Sequence, residues 1–125
     1  MREIIETKAA PSPIGPYSQA VRTNGLIFIS GQIPVDAERG MVVAGGIEAQ
    51  TRQVMKNLSA ILSAAGSGFD KVLKTTVFLS NLDDFSAFNQ IYGEYLGEAK
   101  PARATVQVAR LPKEVLVEIE AIALA

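Results

Sequence analysis

The chain has 125 residues, 48% apolar and 20% charged, with twelve Lys and Arg against thirteen Asp and Glu for a formal charge of -1, as expected for one ordinary globular domain spanning residues 1–125. It contains no His and no Cys, which excludes a Ser-His-Asp triad, a thiolate nucleophile, an imidazole base, imidazole or thiolate metal sites and a disulfide framework. The near-neutral charge gives no electrostatic footprint for nucleic acid, no apolar run approaches the ~18 residues of a membrane span, and the start of the chain has charge without the apolar stretch of a signal peptide, so we expect a cytoplasmic protein.

Residues 2–6 read as a short strand. Ala10 to Pro16 holds three prolines and a glycine, and the missing donors and fixed φ of proline make it a stiff, extended loop. Strands are expected at Ser18–Arg22 and Leu26–Ser30, joined by Asn24-Gly25, a hairpin signal because both residues tolerate positive φ. Gly31 is expected to end the second strand, and residues 34–46 read as loop. From Ile47 the apolar period becomes helical through Val54, Leu58, Ile61, Leu62 and Ala65, closed by Gly66-Ser67-Gly68. Val72 to Ser80 is β-branched and reads as a buried strand. A second helix is predicted from about Asp83 to Leu96, capped by Asn81 or Asp83 and stopped by Gly97. Arg103–Ala109 and Val115–Leu124 read as strands joined at Leu111-Pro112-Lys113.

The order β-β-β-α-β-α-β-β is that of an α+β domain with two helices on one face of a sheet. Alternation places Ala104, Val106, Val108, Val115, Val117, Ile119, Ala121, Leu73, Val77, Leu79, Ile27 and Ile29 under the helices. The opposite parity mixes Phe28, Phe78, Leu116, Ile122 and Leu124 with Ser30, Arg103, Thr105, Gln107, Glu118 and Glu120. Two helices cannot cover both faces, so a second copy is expected over the mixed one, making a homo-oligomer. Polar groups within that face make a candidate ligand pocket.

Each candidate has an ordinary reading beside a functional one. Arg103 is either a surface residue paired with Glu98 or a guanidinium fork for a planar carboxylate. Glu118 and Glu120 are either solvated, paired with Lys74 or Arg110, or include a general base for water. Ser30 beside Gly31 is a strand-end turn or a hydroxyl next to accessible amides. Tyr17 is loop packing or a phenol over a pocket. The glycines match neither dinucleotide nor P-loop spacing.

Together, Ile14-Gly15-Pro16-Tyr17-Ser18-Gln19-Ala20, Ile29-Ser30-Gly31-Gln32-Ile33-Pro34, Lys74-Thr75-Thr76-Val77-Phe78-Leu79, Pro101-Ala102-Arg103 and Val108-Ala109-Arg110-Leu111-Pro112-Lys113, with Ile119-Glu120-Ala121-Ile122, resemble the RidA/YjgF family of imine deaminases, in order along essentially the whole chain. The resemblance implies a chorismate-mutase-like fold, a homotrimer with clefts between subunits, and hydrolysis of 2-imino acids and their enamine tautomers, such as 2-iminobutanoate and 2-iminopropanoate, to 2-oxo acids and ammonia. It further implies that Arg103 binds the substrate carboxylate and Glu118 positions and deprotonates the attacking water. Tyr17 and Ser30 would line the pocket, the Gly31 backbone would orient the substrate, and Asn89 would lie near the cleft. No metal or organic cofactor is implied. Thr105 stands where many relatives carry a Cys, so a thiol-dependent role is not expected. The alternatives are a module that binds 2-oxo acids or a partner without catalysis, and a ribonuclease or translation inhibitor.

Overall fold

The computed structural model describes residues 1–125. Its sheet begins with the short strand β1 (Glu3–Ile5), followed by the hairpin of β2 (Ala20–Thr23) and β3 (Leu26–Gln32). Asn24 and Gly25 turn that hairpin with φ of 49° and 78°, the double positive φ that a two-residue loop needs to match strand twist. Residues 34–46, expected to be loop throughout, hold a two-residue hairpin, β4 (Val35–Asp36) with β5 (Met41–Val42).

Helix α1 (Ile47–Ala64) ends in a Schellman motif: Gly66 sits at φ 75°, its N–H reaches the Ser63 carbonyl, and the Ser67 N–H reaches the Leu62 carbonyl. Strand β6 (Val72–Leu79) leads through a tight turn at Leu82–Asp84 into α2 (Phe85–Leu96). Asn81 caps that turn, accepting from the Asp83 N–H at 2.8 Å. Strand β7 (Ala102–Gln107) and strand β8 (Val117–Leu124) complete the chain.

The six-stranded sheet has the order β1-β2-β3-β8-β6-β7. All neighbours are antiparallel except β6 and β7, which run parallel across the α2 connection. Both helices pack on one face. Val54, Leu58, Ile61 and Leu62 of α1 and Phe88 of α2 join Ile27, Ile29, Val77, Leu79, Val117 and Ile119 of the sheet in one core. Each such side chain contributes roughly 1.5–3 kcal/mol on burial.

Two expected face assignments are corrected. A bulge between Val72 and Lys74 turns Leu73 outward and gives its inner place to Thr75, whose hydroxyl is hydrogen-bonded to the Tyr92 hydroxyl at 2.7 Å. On β7 the parity is reversed. Arg103, Thr105 and Gln107 are registered with the inward Thr75, Val77 and Leu79, so they lie on the helix side; Ala104 and Val106 lie on the open side. Period-2 alternation fixes which residues share a face, not which face it is, and an edge strand reaching past the helices satisfies polar side chains on either. The open face still carries Phe28, Val106 and Leu124, 43–45% exposed.

Candidate active site

The site begins at an irregularity in the pairing of β3 with β8. Ile29 is registered with Ala121 and Gln32 with Ile119, so β3 has one residue more than its partner between those points. This is a β-bulge, which bends a strand and re-aims its side chains. Gly31 lies within it, and the strand continues to Gln32 rather than ending at Gly31 as expected. A Cβ built on Gly31 would come within 2.9 Å of Glu118 Cδ and 3.1 Å of its Cγ. The close approach is specific to glycine's missing Cβ: the Glu118 carboxyl rests on the bare backbone of Gly31.

Glu118 shares a half-open cavity of about 230 Å³ with Tyr17, Ser30 and Gly31, which sequence reasoning singled out, and with Ile14, Ile33 and Pro112, which it did not. Those three stood inside the matched motifs, next to the residues picked out, and being apolar they carried no chemical signal of their own.

Buried polar side chains hold the walls in place. The fully buried Asn57 of α1 donates to the carbonyls of Ile33 and Val35 at 3.1 and 3.0 Å. Gln19 ties down the proline-rich loop: its Oε1 accepts from the Thr7 N–H at 2.7 Å, and its Nε2 donates to the carbonyls of Thr7, Ala10 and Pro11. Gln50, in the first turn of α1, accepts from the Leu116 N–H at 2.8 Å, anchoring the chain two residues before Glu118. Such bonds matter because a buried donor or acceptor left unmade costs ~1–3 kcal/mol.

Electrostatics favour a base. Glu118 forms no hydrogen bond or ion pair within the chain: Lys74 bonds instead to Thr76, and Arg110 pairs with Glu114. Burial, and then the charge of Glu120, raise its carboxyl above the usual carboxylate range. Ser30 donates its hydroxyl to the Ser18 carbonyl at 2.6 Å, leaving its lone pairs free to accept. The Tyr17 hydroxyl accepts from the Ile14 N–H at 3.3 Å, leaving its own proton free to donate.

Arg103 is elsewhere. It does not pair with Glu98; its Nη1 donates to Asn89 Oδ1 at 2.7 Å, and its guanidinium lies over the rings of Tyr92 and Phe85, 4.8 and 5.5 Å from their centroids. These α2 contacts hold the fork extended while leaving most of its five N–H donors unused. Thr105, on the same side of β7, has a buried hydroxyl without a partner. Arg103 lies two strands across and three residues along from Glu118 by the register, about 14 Å at ordinary sheet spacings. Its side chain is on the opposite face. One chain therefore brings together Tyr17, Ser30, Gly31 and Glu118, and separately Arg103 and Asn89, but not the two groups.

The half-site around Glu118 is suited to activating water beside a planar, electrophilic centre, and the half-site at Arg103 to gripping a carboxylate. No helix is long and apolar enough to cross a membrane.

Comparison with known proteins gives four consistent matches. The family model described as "Endoribonuclease L-PSP" matches residues 7–125. A protein of Pyrococcus horikoshii named as a RutC family protein is 55% identical over 98% of this chain and 98% of its own, and the mouse protein named 2-iminobutanoate/2-iminopropanoate deaminase is 50% identical over 98% of this chain and 91% of its own. The crystal structure of a Rid family protein from Yersinia pestis superposes with a TM-score of 0.97 at 51% identity, covering all of both chains.

Proposed function

Because the chain belongs to the RidA/YjgF family, we propose that it hydrolyses short 2-imino acids, such as 2-iminobutanoate and 2-iminopropanoate, and their enamine tautomers to 2-oxo acids and ammonia. The observation that carries this reading is the Glu118 carboxyl, unpaired and raised in pKa, resting on Gly31 in a cavity with Tyr17 and Ser30. In it a water is held between Glu118 and the iminium carbon. Glu118 takes a proton from the water as its oxygen bonds to that carbon, giving a tetrahedral carbinolamine. The protonated Glu118 returns that proton to nitrogen, then takes the hydroxyl proton as the C–N bond breaks and the carbonyl forms, and ammonia carries that proton away as ammonium. Ser30 accepts from the iminium N–H. The electrophile is already activated, so positioning and one base carry the reaction, and a chain without His or Cys has what it requires.

The substrate carboxylate is bound by Arg103 of a second copy. Support comes from the two half-sites lying apart on one chain, and from the exposed Phe28, Val106 and Leu124, which a second copy would cover. The assembly is a homotrimer, each cleft taking Glu118 from one protomer and Arg103 from its neighbour, and the cytoplasm is its compartment. A carboxylate-binding module without catalysis would need Arg103 but not the bare contact between Glu118 and Gly31. RNA cleavage, named in the family model's description, finds no basic or imidazole machinery in the cavity.

The test couples the protein to threonine dehydratase and follows 2-oxobutanoate. Glu118→Ala abolishes the acceleration and leaves 2-oxobutanoate binding largely intact. No acceleration over spontaneous hydrolysis by the wild-type protein refutes the reading.

A further inference from the structure

A second cavity, of about 270 Å³, adjoins the first and shares with it the walls formed by Ile14, Tyr17, Gly31 and Ile33. A ligand seated against Glu118 would reach it by passing Tyr17. Most of the polar groups on its walls are already engaged. The Gln19 amide is spent on the loop of Thr7 to Pro11. Asp36 Oδ1 accepts the N–H groups of Glu38 and Arg39 at 2.9 and 3.1 Å, bonds that with the charges of Lys56 and Arg39 hold its carboxyl below its ordinary value, so that oxygen is already engaged.

What remains to meet a ligand is aliphatic wall, the hydroxyls of Ser12 and Tyr17, and one ammonium. Lys113 lines this cavity and forms no ion pair; the neighbouring Glu114 is taken by Arg110. Lys113 and Glu114 both have φ of 56°, a conformation that costs a side-chain-bearing residue free energy and that concentrates at functional positions. The turn Pro112–Glu114 thus serves both cavities, with Pro112 on the wall of the first and Lys113 at the rim of the second.

We propose that this second cavity is a subsite for an anionic side chain, and that the site accepts 2-imino diacids, with Lys113 gripping the distal carboxylate. At about 30 Å³ per water-sized group the cavity takes a carboxymethyl or carboxyethyl tail with room for water. The inference rests on the imine-hydrolysis reading of the first cavity and names the substrate class that the neighbouring space adds to it.

The experiment compares kcat/KM for 2-iminobutanoate, supplied by threonine dehydratase, with that for 2-iminoglutarate, supplied by an oxidase acting on glutamate. In parallel, binding of 2-oxobutanoate and 2-oxoglutarate is titrated by tyrosine fluorescence. The variants are Lys113→Asn, which keeps a residue tolerant of positive φ, and Lys113→Arg, which keeps the charge. Lys113→Asn lowers the diacid-to-monoacid ratio about tenfold in both turnover and binding, as expected for loss of one charge-assisted contact, and Lys113→Arg restores it. A ratio unchanged in Lys113→Asn overturns the subsite, as does a wild-type protein that binds 2-oxoglutarate no better than 2-oxobutanoate. If neither imine is hydrolysed, the catalytic reading fails by itself, and the 2-oxo acid titration still decides the subsite.

Discussion

Gly31→Ala adds one methyl group to the position where the Glu118 carboxyl rests. Gly31 does not have a positive φ, so its backbone accepts alanine, and the nearest conflict is with Glu118, whose Cδ and Cγ would stand 2.9 and 3.1 Å from the new Cβ. Ordinary contact begins near 3.4 Å, and the carboxyl oxygen lies nearer still, so the carboxylate must swing aside by about 1 Å or more. Such a misplacement costs roughly 100-fold in rate. Glu118 is only half-buried and can move, so we expect a stability loss of no more than about 1–3 kcal/mol, a drop in Tm of several degrees for a chain of this size. The assay is kcat/KM for 2-iminobutanoate in the coupled system, beside a melting curve. The double variant Gly31→Ala with Glu118→Ala supplies the control: if the methyl acts only through Glu118, it is no worse than Glu118→Ala alone. The reasoning is refuted if Gly31→Ala retains kcat/KM within about threefold of wild type, or if the two losses multiply.

Four other outcomes follow from the same geometry. Activity requires ionised Glu118 and falls as pH drops through its raised pKa; Glu120→Gln removes a neighbouring negative charge, so the acid limb of the kcat/KM profile moves to lower pH. A raised carboxyl pKa favours the folded state only where the group is protonated, so Glu118→Gln raises Tm at neutral pH, and the gain shrinks as pH falls below the ordinary carboxylate range. Asn57→Ala strips the Ile33 and Val35 carbonyls of their donor and costs about 2–4 kcal/mol by urea denaturation; an unchanged midpoint would remove Asn57 as the anchor of the wall. Arg103→Ala and Glu118→Ala are each inactive, yet mixed in equal amounts and refolded together they regain about a quarter of wild-type activity, because random assembly into a cyclic oligomer pairs an intact Arg103 with an intact Glu118 at about one cleft in four. No recovery would place both residues in the cleft of one chain.

Much of the fold was legible because each signal was local and strong. Asn24-Gly25 marks its hairpin, Gly66 its helix end, and the β-branched run at Val72–Leu79 its strand. The residues around Glu118 were singled out through motif resemblance, and the structure gathers Tyr17, Ser30, Gly31 and Glu118 at one cavity. Three things were hidden for physical reasons. The bulge at Gly31 depends on pairing with β8, some ninety residues on, which no local pattern encodes. The face of Arg103 could not be read because alternation is blind to absolute direction, and on an edge strand both faces offer polar side chains a place; here Asn89 and two aromatic rings of α2 decided it. Lys113 carried no signal because its role comes from a positive φ and from a cavity shared by three separate loops.

Strand β8 hydrogen-bonds to β3 on one side and β6 on the other, whereas β7 has a free edge. Interior strands open to hydrogen exchange only near global unfolding, and edges open far sooner. Glu118 is thus mounted on an interior strand and Arg103 on an edge strand. On the proposed roles, a substitution near Arg103 alters how an acid is gripped without passing its strain to Glu118, which separates substrate range from catalytic power.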